Sequence, residues 1–65
     1  MSSRYIELRD AETGRKIHIN ADNIIYMEET RYKGHIATII YFSKDTDVVI
    51  LASPKDIINL IQLTK

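Results

Sequence analysis

The second half of this chain carries more apolar strand surface than one short helix can hide. Residues 36–42 read Ile-Ala-Thr-Ile-Ile-Tyr-Phe, mostly side chains that branch at Cβ or carry rings and so suit a pleated surface. Alternate side chains of a strand point to opposite faces. Ile36, Thr38, Ile40 and Phe42 therefore oppose Ala37, Ile39 and Tyr41. The flanking segments behave alike: Ile24 and Tyr26 oppose Ile25 and Met27, and Val48 and Ile50 oppose Val49 and Leu51. Strands that are apolar on both faces are ordinarily covered on both.

The first half is amphipathic in the simpler way. In residues 5–9, Ile6 and Leu8 alternate with Glu7 and Arg9, and in residues 16–20, Ile17 and Ile19 alternate with polar neighbours. Gly14 lies between the two segments and can take the positive φ that a tight hairpin needs. Asn20, Asp22 and Asn23 form a turn cluster, because their side chains bond nearby backbone amides. A third strand is expected over 24–29, a loop over 31–35 with Gly34, a fourth strand over 36–42, a turn over 43–47 and a fifth strand over 48–52. Ser53 is a natural N-cap, Pro54 suits the first helical position, and Asp56 favours the positive end of the helix dipole. Ile57, Ile58, Leu60 and Ile61 then span an apolar arc of about 160° through the last helix. The expected fold is α+β: a five-stranded antiparallel meander with a curled sheet and one C-terminal helix, a single small domain over residues 1–65.

Size sharpens the problem. A domain of about 60 residues buries only about 60% of the surface its unfolded chain exposes, so disulfides, metals or self-association often supplement the core. The 65 residues include no cysteine, which excludes a disulfide framework, a thiolate zinc site and a cysteine nucleophile. Curling of the sheet, cover by the helix, or cover by a second copy are the remaining ways to hide the second face. A bare apolar patch usually marks an interaction site, and a symmetric homodimer is the simplest partner. The interface candidates are Ile25, Met27, Ile39, Tyr41, Val49 and Leu51, or the opposite set, with Ile58 and Ile61 on the helix. A homodimer or other homo-oligomer, or another protein partner, is thus expected.

Catalytic chemistry finds no constellation. His18 and His35 lie in different elements with no short spacing and no third ligand, so neither a metal nor another cofactor is expected. Glu28 and Glu29 are adjacent in a strand and point to opposite faces, which denies them an acid–base pairing. Ser43 has no histidine at a fixed distance, and Ser53 is accounted for as a cap. The two glycines, Gly14 and Gly34, make no phosphate-cradling loop. The expected protein is not an enzyme.

Nine basic and nine acidic side chains cancel, whereas a nucleic-acid binder usually shows a basic excess. An alternative use is still legible in Arg31, Tyr32, Lys33 and His35, a basic hairpin tip with an aromatic that can stack on a base. Glu28 and Glu29 stand beside it and weaken its field. No apolar run approaches the ~18 residues of a membrane span, and the segment Met1-Ser2-Ser3-Arg4 lacks the apolar core of a signal peptide. These features set the expectation of a cytoplasmic protein.

The segment Gly14-Arg15-Lys16-Ile17-His18-Ile19-Asn20-Ala21-Asp22-Asn23-Ile24, followed by Glu28, resembles the short FlbD-like family linked to flagella and swarming motility. The resemblance extends over about residues 5 to 63. It implies the strand–turn–strand order described above, a helix after a serine-type cap, and a setting in motility; it implies no catalytic residue. The chain differs from that pattern in a longer segment at residues 31–35 and in the lack of a glycine at residues 43–47. The same pattern is also similar to part of a LytTR-type DNA-binding domain, which is longer.

Overall fold

A computed structural model describes residues 4–64; the first three residues, on which the leader argument rests in part, lie outside it. The chain runs β1 (Tyr5–Arg9), β2 (Lys16–Asn20), a 3-10 turn (Ala21–Asn23), β3 (Tyr26–Tyr32), β4 (His35–Ser43), β5 (Thr46–Ile50) and α1 (Pro54–Leu63). The α+β class and the C-terminal helix are as expected.

The single five-stranded meander is not what forms. Among the described residues there are two antiparallel sheets, β1–β2 and β3–β4–β5, and β2 and β3 are not ladder neighbours. The chain leaves β2 through a turn in which Asn20 Oδ1 accepts from the Asp22 N–H at 3.0 Å. The sheets meet instead at a corner formed by the far end of β1. There Asp10 bridges Ile50, the Ala11 N–H donates to the Val49 carbonyl at 2.8 Å, and the Leu51 N–H donates to the Arg9 carbonyl at 3.2 Å.

Three turns decide where the strands end. Asp10 Oδ1 accepts from the N–H groups of Glu12 and Thr13, and Gly14 has φ +74°. At the β3–β4 connection Lys33 has φ 51° and Gly34 φ 83°, the two positive values of a type I′ turn. This tight turn uses two residues, so Arg31 and Tyr32, expected in a loop, extend β3 and pair with Ile36 and His35. At the β4–β5 connection a bulge between Tyr41 and Ser43 absorbs the geometry, and neither Lys44 nor Asp45 has positive φ. This explains why no glycine is needed there. Leu51 and Ala52, expected in the fifth strand, lie beyond its end; the Thr38 hydroxyl donates to the Ala52 carbonyl at 2.7 Å and anchors the turn into the helix.

One core joins all these elements. Ile6, Leu8 and Ile19 from the first hairpin, Ile40 and Ile50 from the three-stranded sheet, and Ile57 from the helix form its buried centre. Ile17, Ile24, Met27, Phe42, Val48, Ala52, Leu60 and Ile61 pack around it. The helix starts as its sequence dictates, with Ser53 Oγ accepting from the Asp56 N–H at 3.2 Å and Pro54 at the first helical position.

Candidate interaction surface

Register sorts the three-stranded sheet into two faces. On the inner face Met27 opposes Ile40 and Ile40 opposes Val48, while Thr38 stands between Glu29 and Ile50. On the outer face Ile39 lies between Glu28 and Val49, Tyr41 between Tyr26 and Asp47, and Ala37 opposes Thr30. The first hairpin and the helix contribute their core residues to the inner face. The outer face carries half-buried Ile39, Tyr41 and Val49 and an exposed Tyr26.

Of the eight expected interface residues, only Ile39, Tyr41 and Val49 share that outer face. Met27 is a correction: its ladder partner is Ile40, so it faces inward and packs on the core. Matching Met27 to Ile39 assumes a register one residue off, and a one-residue slip reverses the face of every side chain. Ile61 also packs against the core. Ile25 precedes β3 and is 61% exposed, and Ile58 lies exposed on the helix. Leu51 is exposed and, with His35 and Ile36, lines a shallow depression of about 390 Å³.

The outer face has a definite chemical character. The Tyr26 and Tyr41 rings stack with centroids 4.3 Å apart and planes 12° apart. The Tyr41 hydroxyl donates to Glu28 Oε1 at 2.7 Å. That hydrogen bond to a carboxylate, helped by partial desolvation and by the negative charge of Glu28, pushes the Tyr41 hydroxyl up to about 12. An acidic and aromatic patch thus sits beside the apolar pair Ile39 and Val49.

The β3–β4 hairpin runs past the core. Thr38↔Ile50 is the last β4–β5 pair, so Ile36 has no β5 partner. Beyond Met27 the inner-facing residues of β3, Glu29 and Arg31, are exposed, and Ile36 is 46% exposed. This overhang agrees with the molecule's extents of 39 × 25 × 20 Å. The type I′ turn gathers Arg31, Tyr32, Lys33 and His35 at the tip, where Lys33 Nζ lies 5.5 Å from the centre of the Tyr32 ring. Sequence reasoning missed the free edge of β3, since a polar Arg31-Tyr32-Lys33 run reads as loop; the signal available was the alternation of Glu29, Arg31 and Lys33 with the tight-turn residue Gly34.

The remaining candidates for chemistry have local structural partners. His18 Nε2 is 3.5 Å and Lys16 Nζ 3.8 Å from the Glu7 carboxylate, across the polar face of the first hairpin. Ser43 Oγ accepts from the Asp45 N–H at 3.3 Å. Among the described residues no three His, Asp or Glu side chains are placed to hold a metal ion, and no helix is long and apolar enough to cross a membrane. No family model, curated protein or solved structure matches the chain.

Proposed function

We propose that this chain is a non-enzymatic protein–protein interaction module that assembles first with copies of itself. One observation carries the reading. The core residues of the first hairpin and the helix pack with Ile40 and Ile50 on one side of β3–β4–β5, while Ile39, Tyr41 and Val49 on the other side belong to no core cluster and stay half-buried beside the exposed Tyr26, and β3 has no ladder partner on its outer side. Bare sheet edges and apolar faces on so small a domain favour association. Sedimentation across the micromolar range tests the proposal. A species at least twice the 7.5 kDa chain mass is expected, and a clean monomer throughout overturns it.

The resemblance to the FlbD-like family, on residues 14–24 and Glu28, is the ground for setting this module in flagellar or swarming motility. Swarming that is unchanged in a deletion strain removes the setting while leaving self-association untouched. The alternative, regulatory nucleic-acid binding, draws on the gathering of Arg31, Tyr32, Lys33 and His35 at one turn. Phosphate-driven contacts are strongest at low salt, so failure to bind single-stranded nucleic acid there removes it.

A further inference from the structure

We infer that two copies of this chain join through the free edges of their β3 strands, in an antiparallel register centred on Thr30, to make one continuous six-stranded sheet. The inference rests on the self-association reading above and adds where and in which register the copies meet.

β3 is the outermost strand of its sheet, in the order β3-β4-β5. It has seven residues, contains no proline, and pairs with β4 without a register break. No proline or register break interrupts it; α1 lies against β3, and the charges it carries, Glu28, Glu29 and Arg31, are of the kind that keep an edge from pairing unless opposite charges meet them. Its hydrogen-bonding sense follows from the turn. A two-residue turn is closed by a bond from the N–H of His35 to the carbonyl of Tyr32, which makes that pair a hydrogen-bonded one. Antiparallel ladders alternate hydrogen-bonded and non-bonded pairs. The N–H and carbonyl groups of Thr30 and Glu28 therefore point towards β4, and those of Arg31, Glu29 and Met27 point outward to the free edge.

A symmetric antiparallel pairing of two such edges places a residue opposite its own copy at the two-fold axis. The outward groups allow several registers, and charge separates them. Centring on Glu29, Glu28 or Arg31 sets that charge against its own copy, and centring on Met27 sets Glu28 opposite Tyr26 with no complementary charge pair. Centring on Thr30 sets Glu29 opposite Arg31 twice, with four backbone hydrogen bonds through those residues, and sets Glu28 opposite Tyr32 twice on the outer face. Opposite charges directly across a ladder stabilise it and like charges destabilise it.

Both charges are available for this. Glu29 makes no ion pair among the described residues. Among the described residues the Arg31 guanidinium reaches only the Gly34 carbonyl, at 3.5 Å, the outer limit of a hydrogen bond. The overlap, residues 28–32, lies on the stretch of β3 beyond the core-packed Met27, where Glu29 and Arg31 are exposed. β2, an outer strand of the two-stranded sheet, lacks this property. β2 has five residues, and centring on His18 sets Lys16 opposite Asn20, with no complementary charge.

Charge reversal tests the register directly. Arg31→Glu and Glu29→Arg should each weaken the dimer roughly ten- to a hundredfold, because each converts two unlike pairs into two like pairs. Mixing the two variants should restore association, since every Glu then faces an Arg. The double variant Glu29→Arg with Arg31→Glu should restore it within one sequence. Ile39→Asp, one strand away from the seam, should remain folded and dimeric. In a chain without cysteine, Thr30→Cys should form a disulfide-linked dimer on oxidation, as non-bonded pairs lie with Cα atoms about 4.5 Å apart. Circular dichroism checks that each variant is folded. A wild-type chain that stays monomeric overturns this inference and the self-association reading together. A wild-type chain that associates, but with reversals that have no effect or are not rescued by mixing, or with Ile39→Asp monomeric, overturns the seam and leaves self-association standing.

Discussion

The two hairpins of this protein are built from the same materials to opposite ends. β1–β2 is amphipathic: Ile6, Leu8 and Ile19 are buried, and Lys16 and His18 each approach Glu7 on the other face. Arg9 stands opposite Lys16 on that face and donates to the Gly14 carbonyl. β3–β4 has apolar or aromatic residues on both faces and runs past the core, so that Ile36, Tyr26, Glu29 and Arg31 are exposed. The first hairpin completes the domain, and the second extends out of it. Similar alternation in sequence therefore serves two roles, and the difference lies in whether the second face is polar, as in β1–β2, or carries apolar and aromatic residues, as in β3–β4.

Three measurements break or sharpen that contrast. The largest effect belongs to the shared core. Ile6→Ala in the first hairpin and Ile40→Ala in the second should each cost about 2–5 kcal/mol in denaturant unfolding, the range for buried large-to-small changes. Both should give one transition for the whole chain. An Ile6→Ala variant that loses the first hairpin while the second stays folded would show the two to be independent.

A middle-sized effect is expected at the joint between sheet and helix. Thr38 is fully buried and donates to the Ala52 carbonyl at 2.7 Å. Thr38→Val keeps the shape but leaves that carbonyl without its partner, at a cost of about 1–3 kcal/mol. No loss of stability would mean that the turn into the helix is held by packing alone.

The smallest effect is the pH response of the outer face. Tyr41, held at about 12 by its bond to Glu28, keeps its proton in the folded state above the ordinary value of 10.0. A group whose pKa is raised on folding stabilises the fold below its unfolded pKa. That contribution should be present below about pH 10 and disappear as pH rises towards 12. Ultraviolet titration of the four tyrosines should show one ionising late, and Glu28→Gln should bring it back towards the others. Late ionisation that persists in Glu28→Gln would assign the shift to the Tyr26 stack or to burial instead.

Much of the architecture was legible in the residues. Alternation in 5–9 and 16–20, the Ser53-Pro54 start and the apolar arc of the last helix each follow from local preferences that the tertiary structure left alone. Excess apolar surface on the second half was also legible, because parity along a strand needs no partner to define it. The errors came where a partner decides. Met27 was assigned to the face of Ile39, and Arg31 and Tyr32 to a loop. Both turned on the length of one turn, since a two-residue turn at Lys33 and Gly34 lengthens β3 and sets the β3–β4 register.

By itself, then, the sequence determined that five strands precede one helix, where the helix begins, and that the strands of the second half are apolar on both faces. These are properties of residue type and period, set by sterics and backbone hydrogen bonding within a few residues. Only the tertiary structure decided that the strands divide into two sheets, that Asp10 and Ile50 join them, and that β3 is left as an outer strand of its sheet. Those outcomes depend on which distant groups meet, because a strand's hydrogen bonds and its buried face are completed by residues elsewhere in the chain.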